Sequence, residues 1–352
     1  MPRRPARLKK ANSYNLEGMA TRVRSYSKIN LGLAVGPLRE DGFHGLTTVY
    51  QSLALHDVVT VTARSAAATR IELTANHRGV PRTETGDADK NTAWKMVAGA
   101  LERLGIAAEV SIGIEKSLPV QGGMGAGSAN AAAALLGLER ELGQALSGAE
   151  RLELAAEVGS DVPLFLLGGT VLGLGRGEEV YPLPDLPAIP CVVAVPEVGV
   201  STKLAFQALD RRAETLTFAQ GEARLKELSR AYSAIWTTSG AEHRPSGIAR
   251  ETGDLAENPL LALVRTGIEN DFEEVAFSQH PSLRQTKREL MGSETGGALY
   301  ACLSGSGSAL FGLYASQADA REAQHRVTAG GTRAILTETL PRKAYWDAMF
   351  AG

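Results

Sequence analysis

The segment Pro119-Val120-Gln121-Gly122-Gly123-Met124-Gly125-Ala126-Gly127-Ser128, followed by ANAAAALLGLEREL, constrains the fold more than any other stretch of the chain. Near Ser128 the composition changes abruptly from glycine-rich to strong helix formers, and the helix should end at Gly143. Glycines let main-chain amides approach a ligand closely, and the amides and dipole of a helix N-terminus favour negative charge, so a polyphosphate suits this place. The same pattern would also serve a flexible turn that only lets the helix pack tightly. The Gly-Lys-Ser/Thr ending of a P-loop is absent, as are the dinucleotide fingerprint and the protein-kinase signature set, so a nucleotide site here must be of another type.

Upstream, Val23 to Val35 alternates, with Ile29, Leu31, Leu33 and Val35 on one face of a strand and Lys28, Asn30 and Gly32 on the other. Asp41-Gly42 signals a turn, and Thr47 to Leu55 and Val58 to Ala63 read as strands joined by a short His56-Asp57 turn. Residues 91 to 104 have helical spacing, Val110 to Ile114 alternates, and a helix over Glu150 to Val158 leads into Gly159-Ser160-Asp161-Val162-Pro163. An apolar strand pair follows, broken by Gly168-Gly169 and by residues 173 to 177, and then Pro182, Pro184, Pro187 and Pro190 mark a crossover between domains. Beyond it the pattern predicts a strand at 191 to 196, helical segments over much of 201 to 290, and a mobile polar loop near 236 to 257. Residues 298 to 315 read as strand, glycine-serine turn, strand. Helices near 317 to 327 and 343 to 349 flank a strand at 333 to 337.

Two of these residues are out of keeping with their surroundings. An ammonium at Lys28 on a strand otherwise built for burial needs a partner, because an unpaired buried charge is costly; on a solvent-facing sheet it would need none. Asp161 is a candidate partner. It is also a good cap before Val-Pro, yet it lies between two apolar segments, where a neighbouring cation tunes a carboxylate. Ser304-Gly305-Ser306-Gly307-Ser308 fits either a plain hairpin turn or a backbone wall beside an active site.

Composition narrows the function classes. A chain of 352 residues with 44% apolar content suffices for two folded domains. A net charge of -2, from 37 basic and 39 acidic residues, gives no electrostatic reason to bind nucleic acid or an anionic membrane, so a small molecule is the expected partner. Cys191 and Cys302 lie in apolar runs and read as buried thiols of a reducing compartment. No apolar stretch reaches the roughly 18 to 20 residues of a membrane span, which makes cytoplasm the default. The six histidines form no metal-ligand pattern. Arg3, Arg4, Arg7, Lys9 and Lys10 mark residues 1 to 20 as a disordered basic leader, with Met19 as an alternative start.

Ser27-Lys28-Ile29-Asn30, Asp41-Gly42-Phe43-His44, Asn91, Pro119 to Ala132, Ser160-Asp161-Val162-Pro163 and Ser304 to Ser308 resemble, in that order, the successive motifs of the diphosphocytidyl-methylerythritol kinases, a branch of the GHMP small-molecule kinases. The resemblance spans roughly residues 22 to 340. It implies an α+β chain of two domains: one over 21–186, like domain 2 of ribosomal protein S5, and a ferredoxin-like one over 187–352, with the active site between them. It implies transfer of the ATP γ-phosphoryl group, with Mg2+, to the 2-hydroxyl of the methylerythritol moiety. Asp161 would take the hydroxyl proton and Lys28 would orient that hydroxyl. Asn30 would lie at the substrate, Phe43 would stack on cytosine, His44 would hydrogen-bond it, and Phe206 would cover its opposite face. Asn91 and Lys116 match positions near adenine. Pro119 and the loop Gly122, Gly123, Met124, Gly125, Ala126, Gly127 and Ser128 would hold the phosphates, with Mg2+ carried by ATP near Ser128 and no direct protein ligand. The chain would act as a monomer or weak dimer. Ala126 and Ala129 depart from the Gly-Gly-Gly-Ser-Ser pattern and remove a hydroxyl at 129. Homoserine kinases lack the aspartate base and mevalonate kinases the cytosine-contact turn, so both fit less well. A non-catalytic nucleotide-binding relative would have no need of both Lys28 and Asp161.

Overall fold

The computed structural model describes residues 20–40, 42–120, 122–213, 268–293 and 296–351, with 223, 225–227, 229, 230 and 264. The expected leader before Ala20, Asp41 of the predicted turn, Gln121 of the loop and the polar stretch 236–257 lie outside the described residues.

The alternating first strand is β1, Thr21–Leu38, and it pairs antiparallel with β2, His44–Ser65. Tyr26 faces His56 while the next residue, Ser27, faces Leu53, so Ala54 and Leu55 bulge out of a strand that continues on both sides. The predicted His56-Asp57 turn is therefore corrected to a bulge within one strand. The acidic residue that suggested a turn is fully buried. Its carboxylate accepts from the Lys116 ammonium and from the backbone N–H groups of Ser117 and Leu118 at 2.7 and 2.8 Å.

The first sheet adds β3, Arg70–Ala75, β4, Ala108–Glu115, β5, Thr170–Leu174, and β6, Glu179–Pro182. The short strand β3 alternates, with Ile71, Leu73 and Ala75 turned to the core, and runs parallel to β4 at the sheet edge. Helix α1, Thr92–Leu104, is capped by Asn91, and α3, Gly148–Val158, by Ser147 with a reciprocal contact from Glu150. Between them, α2, Ala126–Leu142, packs its alanines into the same core as Val59, Val61, Ile112 and Met96.

A second sheet, all antiparallel, has the order β10-β7-β9-β8, from β7 Pro190–Val195, β8 Tyr300–Leu303, β9 Leu310–Leu313 and β10 Arg333–Glu338. Helices α4 Thr202–Ala213, α5 Phe272–Gln279, α6 Pro281–Met291 and α7 Gln317–Ala329 share a core with its Val192, Ala194, Leu303 and Leu310. Alternate residues of the same strands, Cys191, Val193, Cys302 and Phe311, join Ile29, Leu31, Val49 and Leu53 of the first sheet in a third apolar cluster. The two sheets thus cover one another, each with helices on its other side, in a two-domain α+β architecture. Burial in this seam pushes the Cys302 thiol up to about 12 and raises that of Cys191 further, which leaves both protonated.

The chain does not end in the second domain. Helix α8, Arg342–Asp347, and β11, Phe350–Ala351, return to the first sheet, where β11 pairs with β1. Tyr345, 2% exposed, donates its hydroxyl to the Phe165 carbonyl at 2.6 Å and packs against Tyr26. Truncating so large a buried side chain costs about 3–5 kcal/mol. Tyr345→Ala should lower the urea unfolding free energy by about that amount; a loss under about 1 kcal/mol would mean that the returning segment is not part of the first domain's core.

Candidate active site

The glycine loop is shaped by contact with the second domain. Gly123 has φ +75°, and a Cβ there would lie 2.1 Å from the Ser304 carbonyl oxygen, so this position admits only glycine. The Ser304 hydroxyl donates to the Gly123 carbonyl at 3.0 Å, and the Ala309 N–H donates to the Gly122 carbonyl at 3.2 Å. The Ser304 to Ser308 turn is therefore both a hairpin turn and a wall of the loop. Met124 is 2% exposed and anchors the loop in the seam between the sheets, while its carbonyl accepts the N–H of Lys28 at 3.1 Å. At the mouth of α2, the Thr92 hydroxyl donates to the Gly127 carbonyl at 2.7 Å. The first-turn N–H groups of α2 have no helical partner of their own, which leaves them for a ligand. Ala129 is buried in the core and is not among the residues that line the cleft described below.

Lys28 on β1 is 3% exposed. Its Nζ lies 3.3 Å from Asp161 Oδ2, donates to Asn30 Oδ1 at 2.7 Å, and sits 5.5 Å from the centre of the Tyr50 ring. Asn30 in turn donates to Thr48 Oγ1 at 2.8 Å, and Thr48 to the Gly32 carbonyl at 2.6 Å. Asn30, expected at the substrate, thus also fixes the ammonium. Asp161 sits in the tight turn between α3 and the short helical turn Pro163–Leu166, and its side chain is 31% exposed. Tyr50 of β2 donates to Asp161 Oδ1 at 3.1 Å. Burial, and then the adjacent Asp161 charge, push the Tyr50 hydroxyl well above the usual tyrosine range, so it remains a proton donor to that carboxylate.

Farther along the cleft, Phe43 is 51% exposed, and the Arg176 guanidinium carbon lies 4.9 Å from its ring centre. His44 uses Nδ1 against the Gly36 carbonyl at 2.9 Å and Nε2 against Asp210 at 3.2 Å. Phe206, predicted to oppose Phe43, is stacked on His44 at 5.0 Å and 18° and meets the edge of Phe272. One of its faces is therefore already covered, because α4 seats the ring directly over the imidazole.

A cleft of about 920 Å³ brings together Lys28, Asn30, Phe43, His44, Phe206, Asp161, Pro119 and the described loop residues 122 to 128. Asn91 and Lys116 are not among its lining residues. The Asn91 side chain accepts from the Ala93 N–H and donates to the Pro81 carbonyl, and the Lys116 ammonium is committed to Asp57. No group of three or more His, Cys, Asp or Glu side chains fit to hold a metal occurs among the described residues. A cradle of main-chain amides with Ser128 and Asp161 at its mouth fits a metal that arrives on a polyphosphate.

The sequence reading missed Tyr50, Thr48 and Arg176. A tyrosine within an apolar strand signals a hydroxyl in search of a partner, and that cue could have picked out Tyr50. Arg176 lay hidden in a glycine-rich turn that reads as loop.

Residues 91–169 match the GHMP kinases N terminal domain, and residues 251–332 the GHMP kinases C terminal family. A 4-diphosphocytidyl-2-C-methyl-D-erythritol kinase of Solibacter usitatus is 37% identical over 83% of this chain and 80% of its own length. A kinase of the same name from Nocardia farcinica is 37% identical over 91% and 93%. Among solved structures, a 4-(cytidine 5'-diphospho)-2C-methyl-D-erythritol kinase is 28% identical with a TM-score of 0.62 over 90% of this chain and 98% of that one. A homoserine kinase from Cytophaga hutchinsonii, 20% identical with a TM-score of 0.67 over 94% and 98%, shares the fold.

Gly123→Ala should weaken binding of a non-hydrolysable ATP analogue by about tenfold or more, since the loop must leave Ser304 to accept a side chain. Calorimetry on protein with unchanged far-UV circular dichroism would measure this, and parental affinity would detach the loop from nucleotide binding.

Proposed function

The chain belongs to the 4-diphosphocytidyl-2-C-methyl-D-erythritol kinases, within the GHMP kinases, and on that premise we propose that it transfers the γ-phosphoryl group of ATP to the 2-hydroxyl of the methylerythritol moiety of its cytidyl substrate. The observation that carries this reading is the Lys28–Asp161 pair, 3.3 Å apart, beside the amide cradle and in one cleft with Phe43 and His44.

Phosphoryl transfer asks a protein chiefly for alignment and charge stabilisation. The loop 122–128 holds the ATP phosphates through main-chain N–H groups. Mg2+ arriving with ATP near Ser128 would offset charge on the transferred group. Tyr50 occupies Oδ1 of Asp161, so Oδ2 takes the proton of the attacking hydroxyl, and Lys28 beside it orients that hydroxyl and offsets the charge that develops. Phe43 stacks on cytosine, His44 hydrogen-bonds it, and Phe206 holds His44 in place. No helix among the described residues is long and apolar enough to cross a membrane, and with two buried thiols we assign the reaction to the cytoplasm.

The decisive experiment offers purified protein the cytidyl substrate, homoserine and mevalonate in turn, with ATP and Mg2+, and follows ADP release. Turnover of the first alone is expected; turnover of only the other two overturns the reading. Asp161→Asn should reduce kcat by roughly 10²- to 10⁴-fold with nucleotide affinity within about threefold of the parent, and near-parental kcat would remove Asp161 from the chemistry. Phe43→Ala should raise the substrate KM by roughly 5- to 150-fold, the equivalent of losing one stacked base. A steady KM would exclude the stacking role.

A further inference from the structure

We propose that Arg176 is the residue that grips the diphosphate of the cytidyl substrate. This rests on the function proposed above. Arg176 stands in the tight turn between β5 and β6, and two other groups hold it in place. Its Nε donates to Glu178 Oε1 at 3.0 Å, and its guanidinium lies over the Phe43 ring, 4.9 Å from the centroid. Its two terminal nitrogens meet no hydrogen-bond partner among the described residues, and the side chain lines the cleft at 33% exposure. Lys28, another lining cation, is already turned to Asp161 and Asn30.

Position decides what such a cation would meet. The substrate is a linear molecule, with base, ribose, diphosphate and polyol in that order. Its base belongs at Phe43 and its reacting hydroxyl at Asp161, so the diphosphate must lie between those residues. Arg176 touches Phe43 on one side. On the other, the carbonyl of its neighbour Gly177 lies 3.5 Å from the Tyr50 hydroxyl, which is itself 3.1 Å from Asp161. The cation therefore stands between the two ends of the substrate. A planar guanidinium with both terminal amino groups free suits phosphate oxygens, and charge-assisted bonds of this kind are stronger than neutral ones. A small-molecule kinase that had to accept an uncharged alcohol in this cleft would gain nothing from it.

The test is an affinity ladder. Cytidine, CMP and CDP are titrated by calorimetry into the full-length protein with its ATP site filled by a non-hydrolysable analogue and Mg2+. In the parent, CDP should bind roughly 10- to 100-fold more tightly than cytidine. Arg176→Ala should remove most of that advantage while cytidine binding stays within about threefold, and Arg176→Lys should restore part of it. In turnover, Arg176→Ala should raise the substrate KM by a similar factor with kcat little changed. Arg176 could instead serve only to brace Phe43. All three ligands would then weaken by one common factor, and the proposal would fall. It would fall equally if the parent bound CDP no better than cytidine. Turnover of the cytidyl substrate by the parent is scored separately, so failure of the functional reading would appear there, and failure of the diphosphate contact only in the ladder.

Discussion

An ammonium group that is 3% exposed has to be balanced where it sits, because an uncompensated charge in a protein interior is far costlier than any packing it allows. Lys28 meets this requirement with three different chemistries: the Asn30 carbonyl, the Asp161 carboxylate and the face of the Tyr50 ring. These come from β1, from β2 and from the turn after α3. Holding one charge therefore fixes the relation between strands and a turn more than 100 residues away, since Tyr50 and Asp161 are separated by 111 positions. The glycine loop belongs to the same arrangement through the Lys28 N–H and the Met124 carbonyl.

The seam between the sheets explains why this arrangement can be rigid. Strands β1 and β7 are buried on both sides, β7 as a continuous apolar run and β1 as an alternating strand whose polar residues are buried as well. Ile29 and Leu31 face the second sheet while Lys28 and Asn30 face the cleft, so a slip of one residue would place the ammonium in the apolar seam. The docking of Gly123 on Ser304 then seals the loop against the second domain. Neither domain alone completes the site.

Residues whose chemistry conflicts with their neighbours were legible in sequence. Lys28 in an apolar strand, Asp161 between apolar segments, and glycines before an alanine helix each announce a purpose, because burial or strain would otherwise count against them. What was not legible depends on distant partners. Asp57 looks like a turn residue until Lys116, 59 positions on, is seen to neutralise it. The return of Tyr345 to Phe165 spans 180 positions and leaves no local mark. Phe206 was suggested only by the family resemblance, and which ring it meets depends on where α4 lands against the β1–β2 hairpin.

Tyr50 connects the two ends of the cleft. Its hydroxyl meets Asp161, its ring lies beside Lys28, and its Oη packs so closely on Gly177 that a Cβ there would come within 2.4 Å. Gly177, at φ +102°, keeps the β5–β6 turn pressed against this tyrosine, and the turn carries Arg176 toward Phe43. The carboxylate proposed as the proton acceptor and the cation proposed to hold the diphosphate are thus referred to one buried side chain. Displacing this tyrosine would disturb both contacts at once, and with them the spacing that a linear substrate requires between its base and its reacting hydroxyl.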